Sequence, residues 1–219
     1  QAVRLMIWFF LSSGLFLGWS LGANDAANIY GTAVGTRMVK FRNAAIITCI
    51  FVALGAVISG AGATHTLGKL GSVNALAGSF TVALAAGATV ASMTRAGLPV
   101  STSQAIVGAI IGWNLFTGSP TEMATLWKIV STWVLCPVLA AVFALVRYRG
   151  ANARIHLLEQ DAYTRWGLLL VGAFGAYSLG ANNIANVMGV FVPADPFPDI
   201  PILLGMTFTG TQMLFLLGA

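Results

Sequence analysis

The sequence has little charge. Only 8% of its 219 residues are Asp, Glu, Lys or Arg, against roughly 25% in a soluble domain, while 58% are apolar and the mean hydropathy is +0.86. That shortage excludes a water-soluble globule and makes a bilayer the natural solvent for the chain. Long polar stretches are lacking as well. Apolar runs near the roughly 20 residues needed to cross hydrocarbon recur from end to end, and they leave no room for a separate catalytic domain. Cysteine is scarce: Cys49 and Cys136 both lie inside apolar runs, where each reads as a small soft hydrophobe. The two histidines, His65 and His156, fall in loops between runs. His-rich metal spacing and a nucleophile-base pair are both missing, which argues against an enzyme and against an organic cofactor. The start of the chain carries neither a basic n-region nor a cleavage site, so residues 1–22 read as a first membrane span and not as a signal peptide.

A net charge of +5 would suit nucleic acid, but its distribution does not. Eight of the eleven basic residues (Arg37, Lys40, Arg42, Arg95, Arg147, Arg149, Arg154 and Arg165) sit between apolar runs, which is a topology signal. The runs predict spans over 4–36, 41–63, 73–94, 98–118, 124–146, 163–192 and 200–219, the first and sixth of them interrupted. Placing Arg37, Lys40 and Arg42 in the cytoplasm puts Arg95 and the 147–165 segment there too, if each run up to Val146 crosses. The Pro-stiffened 193–198 loop then falls outside. Residues 98–118 carry a second reading, as one arm of a re-entrant hairpin. Trp8, Trp113, Trp127 and Trp133 read as interfacial or lipid-facing aromatics, and Glu122 and Lys128 as the outer edge of the fifth span.

One motif occurs twice. Residues 20–31 read S-L-G-A-N-D-A-A-N-I-Y-G and residues 178–189 read S-L-G-A-N-N-I-A-N-V-M-G, eight identities in twelve positions at an offset of 158. The same offset carries Gly14, Gly18 and Gly22 onto Gly172, Ala176 and Gly180, small residues at four-residue spacing that let helices approach closely. Five crossings separate the copies, so they run in opposite directions. Inverted repeats with interrupted helices mark secondary transporters that bind substrate near the midplane. A duplication kept for packing alone is the plainer alternative, but packing does not call for Asn and Asp at mid-membrane.

Asn24, Asp25 and Asn28 occupy the middle of the first span, and Asn182, Asn183 and Asn186 the middle of the sixth. A carboxylate at that depth costs several kcal/mol on insertion scales and marks an ion or substrate path. Gly22 and Gly31 bracket a place where the helix is expected to unwind. Capping of a helix fragment is the alternative for Asn24 and Asp25. It explains one polar residue per break, not a cluster in each copy. A further cluster, Pro99-Val-Ser-Thr-Ser-Gln104, opens the run 105–116. Ser101 with Gln104 is a capping-box pattern, so a helix should begin here with free N–H groups and the hydroxyls of Ser101, Thr102 and Ser103 facing one spot. Such a helix start is an anion site, or else simply a well-capped helix beside the cytoplasm.

G-A-N-D-A-A-N, P-V-S-T-S-Q-A-I-V-G and G-A-N-N-I-A-N, in this order, resemble the inorganic phosphate transporter (PiT) family of cation-coupled phosphate symporters. The resemblance implies an all-α integral membrane protein of the inverted-repeat class with discontinuous helices. Residues 1–150 would form the first repeat, with about five membrane segments including the 98–118 anion-binding helix. Residues 151–219 would begin a second repeat that is truncated. It implies phosphate bound by Ser101, Thr102, Ser103, Gln104, Asp25, Asn28 and Asn186, and Na+ held by Asn24, Asp25, Asn28, Asn182, Asn183 and Asn186. A homodimer in the cell membrane is an expectation carried by the resemblance alone.

Two departures stand out. Asn183 replaces the Asp of the family pattern, removing one buried negative charge. The repeat offset places a second P-V-S-T-S-Q near position 260, beyond Ala219. An offset of about 163 aligns 51–56 (F-V-A-L-G-A) with 215–219 (F-L-L-G-A), so the chain is expected to end within the second span of repeat two. Gln1 in place of Met fits a chain cut at both ends. The function expected is Na+-coupled phosphate symport by alternating access, because a buried Asp25 and a phosphate dianion repel each other unless cations sit between them. H+ as the coupling ion, an H+-coupled sulfate or other oxyanion permease, and an ion channel are the alternatives.

Overall fold

The computed structural model describes residues 2–71, 73, 76–152, 160–201 and 207–219. Among these, the chain is helical apart from one two-residue antiparallel ladder. Helix α1 (Ala2–Leu21) passes through a π-helical turn (Gly22–Ala26) into α2 (Ala27–Gly35), and α3 (Phe41–Gly68), α4 (Leu76–Arg95), α5 (Thr102–Thr117), α6 (Met123–Asn152) and α7 (Gln160–Met188) follow. A 3-10 turn (Gly189–Ala194), strands β1 (Ile200–Pro201) and β2 (Thr207–Phe208), and a short α8 (Gly210–Gly218) complete it. Five segments are long and apolar enough to cross a bilayer: Leu5–Gly35, Phe41–Gly68, Leu76–Arg95, Met123–Gly150 and Tyr163–Ala194.

Local sequence sets where these helices stop. Arg37 ends α2 in the left-handed region (φ 62°), with its own N–H on the Val34 carbonyl and the Val39 N–H on Ala33. Gly97 does the same after α4: its φ is 69°, its N–H reaches the Thr94 carbonyl and that of Leu98 reaches Met93, the paired bonds of a Schellman cap. That cap turns the chain back into α5, so α4 and α5 are the two arms of one hairpin.

Helix directions follow from which residues meet. Phe9 stacks on Phe80 with ring centroids 5.1 Å apart, and a side chain added at Gly87 would strike Phe16, so α1 and α4 run parallel. Gly55 lies against Tyr177, Gly60 against Ile184 and Thr64 against Gly189, so α3 and α7 run parallel too. Gly14 faces Met188 and Phe191 while Gly18 faces Val187, so α1 and α7 are antiparallel. The core between these layers includes Leu17, Val82, Ile106, Met188, Phe191 and Phe215. The Leu70 carbonyl accepts from Asn114 Nδ2 at 3.3 Å and from the Glu122 N–H at 3.4 Å, which gathers the ends of α3 and α5 and the start of α6 at one face.

Three expectations change, and a choice between two readings narrows. Residues 98–118 fit the second of theirs, as one arm of a hairpin. Helix α5 has 16 residues, about 24 Å at 1.5 Å per residue, short of a roughly 30 Å hydrocarbon core. Its hairpin leaves by the face it enters, which keeps the count of crossings between the motif copies odd. Residues 200–219 do not form one spanning helix, since the described part holds β1, β2 and only nine helical residues in α8. The first motif does not unwind: Leu21, Ala26 and Ala27 all keep right-handed helical angles around the π turn. Nor does the second, which stays helical through Met188. Neither copy contains Pro, the residue that forces a break, and Gly alone permits one without imposing it.

Candidate functional site

The π turn Gly22–Ala26 carries Asn24 and Asp25 at the tip of the α4–α5 hairpin. Such turns bulge a helix outward by one residue and recur at functional positions. Asn24 Nδ2 donates to Asp25 Oδ1 at 2.7 Å and to the Val100 carbonyl at 3.0 Å. Thr102, fully buried at the start of α5, donates its hydroxyl to Asp25 Oδ2 at 3.2 Å. Both carboxylate oxygens of Asp25 thus have a donor, one from each side of the α1–α5 contact.

The second copy reaches the same short segment from another direction. Asn186 Nδ2 donates to Ser103 Oγ and to Asn183 Oδ1, each at 2.8 Å. Asn186 is buried and Asn183 half-buried. The first turn of α5 therefore stands between the two motif copies, bonded to one through Thr102 and Val100 and to the other through Ser103. Two cavities border the motif copies. One of about 160 Å3 separates the π turn from α3 and α7 and is lined by Gly22, Ala26, Cys49, Gly180 and Asn183 among others. The other, of about 440 Å3, lies between α6 and the second cluster and is bordered by Ser103, Asn182, Asn183, Asn186, Thr66 and Lys128.

Not every predicted residue joins these clusters. Asn28 is exposed on α2, one turn beyond Asp25, and Gln104 is exposed on α5. Asn182 is exposed and reaches only the larger cavity. The hydroxyls of Ser101, Thr102 and Ser103 do not face one spot. Successive helical residues are about 100° apart, so the three diverge. Ser101 Oγ accepts its own helix's Gln104 N–H at 3.4 Å, Thr102 goes to Asp25 and Ser103 to Asn186. The capping box expected at Ser101 is half formed. A complete one occurs at Thr209 and Gln212, which open α8.

Sequence reasoning missed the Val100 carbonyl, a backbone group invisible to motif reading. Lys128, read from sequence as the outer edge of the fifth span, also borders the larger cavity. Trp133 borders the larger cavity and Trp113 packs against Gly78, so neither faces lipid alone. His65 borders a third cavity, while His156 lies outside the described residues.

Comparison with known proteins identifies the family. Residues 21–162 match the profile of the phosphate transporter family. A Pyrococcus furiosus protein carrying the name phosphate permease is 32% identical over 172 residues, covering 73% of this chain and 42% of the relative. A sodium-dependent phosphate transporter of Plasmodium falciparum is 32% identical over 166 residues, 65% of this chain and 24% of the relative. The chain thus spans well under half the length of these relatives. A solved structure of a sodium-dependent phosphate transporter superposes with a TM-score of 0.72 at 21% identity, over 98% of this chain and 74% of that one. The match runs through both the π turn and the whole α4–α5 hairpin, and this multi-pass membrane chain belongs to the phosphate transporter family, a family of transporters and not of enzymes.

Proposed function

We propose that the protein carries inorganic phosphate across the cell membrane as a Na+-coupled symporter, by alternating access around the first turn of α5. The observation that carries this reading is the double engagement of that turn: Thr102 with Asp25 on one side, Ser103 with Asn186 on the other. The antiparallel course of α1 and α7 supports reading residues 1–150 as a first repeat and residues 151–219 as the opening of an inverted second one.

Chemistry supports the coupling ion. Asp25 is held by a hydroxyl and an amide, Thr102 Oγ1 and Asn24 Nδ2. A carboxylate in a low-dielectric site and a phosphate dianion repel each other, so one or more cations must accompany the anion. Na+ held by Asp25, Asn24 and the second-copy amides, with phosphate at the Ser103 side of the helix start, satisfies both charges. The names of the Plasmodium relative and of the matched structure point to the same ion. Asp25→Asn in the full chain should abolish Na+-stimulated uptake of labelled phosphate by vesicles, with sulfate and arsenate as competitors to define the anion. Undiminished Na+-stimulated uptake by that variant would remove the basis of the proposal.

A further inference from the structure

The 440 Å3 cavity is chemically one-sided. Lys128 is the single charged residue among its described lining, and Ser103, Thr66, Thr132, Asn182, Asn183 and Asn186 supply polar groups. Lys128 and Thr132, one turn apart on α6, both border it, as do Ile129 and Trp133, which with Leu126 also pack toward the core. Glu122, the acid nearest in sequence, accepts a hydrogen bond from the Thr125 hydroxyl and does not line the cavity. The cavity lies toward the face that gathers the start of α6, the face that the charge distribution assigns to the outside.

Resting on the phosphate reading above, we propose that this cavity is an anion vestibule, in which Lys128 draws a phosphate oxyanion from the outer face toward Ser103 and Asn186. A lone ammonium over low-dielectric walls concentrates anions, and its field reaches about 8 Å at physiological ionic strength. The same charge repels Na+, and Asp25 does not line the cavity. Lys128 therefore favours the anion over the coupling ion at this entrance.

A phosphate group reaches such a place from solution or on a lipid head group, and the experiment separates the two. Uptake of labelled phosphate is measured over a range of concentrations with the full chain in vesicles of neutral lipid. Lys128→Gln raises KM for phosphate by about threefold or more with little change in Vmax and no rise in the half-saturating Na+ concentration, and Lys128→Arg restores it. Added salt raises KM of the wild type and not of Lys128→Gln. An unchanged KM in Lys128→Gln overturns the proposal. A second measurement needs no transport: with Cys49→Ser and Cys136→Ser as background and Lys128 retained, Thr132→Cys introduces a thiol at the cavity whose reaction with a negatively charged reagent is slowed by free phosphate, and Lys128→Gln abolishes that slowing. Slowing that appears only when anionic lipid is added overturns the vestibule and assigns Lys128 to a lipid head group. Wild-type vesicles that take up no phosphate would instead undo the functional reading, while protection of the thiol still reports on the cavity.

Discussion

Asn186 and Ser103 are joined by a 2.8 Å hydrogen bond between residues 83 positions apart, and that bond fastens the second motif copy to the start of α5. Asn186→Ala removes this bond and the one to Asn183 together. The double variant with Ser103→Ala should cost less than the sum of the two single changes. Thermal unfolding in detergent should show a coupling of about 0.5–1.5 kcal/mol, the usual worth of one such bond. Strict additivity would mean the bond carries nothing.

Thr102 offers a sharper test, because its shape and its hydroxyl separate cleanly. Thr102→Val keeps the buried volume but strips Asp25 Oδ2 of its donor. Uptake should fall about tenfold or more, the cost of a hydrogen bond to a charged group at ~1.5–3 kcal/mol. Thr102→Ser should retain most of the activity.

Gly55 and Gly180 hold α3 and α7 backbone to backbone: a Cβ at Gly55 would overlap the Tyr177 carbonyl, and one at Gly180 the Val52 carbonyl. Backbone cannot move aside as a side chain can. Gly180→Ala should therefore destabilise the protein by about 1–3 kcal/mol, read as a lowered unfolding temperature. Gly112→Ala, with nothing within 4 Å, should be neutral.

Topology can be checked by labelling. Because Leu70 bonds the Glu122 N–H, thiols introduced by Lys69→Cys and Glu122→Cys should react from the same side of the membrane, and Arg37→Cys from the other. The positive-inside pattern makes the Arg37 side cytoplasmic. Labelling of all three from one side would refute the crossing order.

Much of this was legible in the sequence. The offset of 158 between the motifs announced two equivalent segments, and the odd number of crossings announced their opposed directions; α1 and α7 are antiparallel. Asp25 and Asn186 were found as candidates because polar groups at mid-membrane are costly without a reason, and Thr102 and Ser103 because the capping-box pattern marked a helix start. Geometry within a turn was not legible. Three consecutive hydroxyls look like one cluster on the page, yet helical rotation sends them to three different partners. Glycine likewise marks where a helix is allowed to open, and only packing decides whether it does. In α7, Gly180 serves the close approach to Val52 and the helix stays intact.

The turn Gly22–Ala26 holds i to i+5 bonding where the rest of its helix holds i to i+4. A π turn is in effect one surplus residue, so the facing of everything after it is set by residue count. Winding the turn into ordinary α geometry with no residue removed would swing α2 by about 100° relative to α1. Tyr30, whose hydroxyl reaches the Leu169 carbonyl at 2.9 Å, would then point away from α7. The bulge acts as a phase setter, keeping Leu17 in register with α4 and Tyr30 in register with α7 along a helix that could not otherwise serve both.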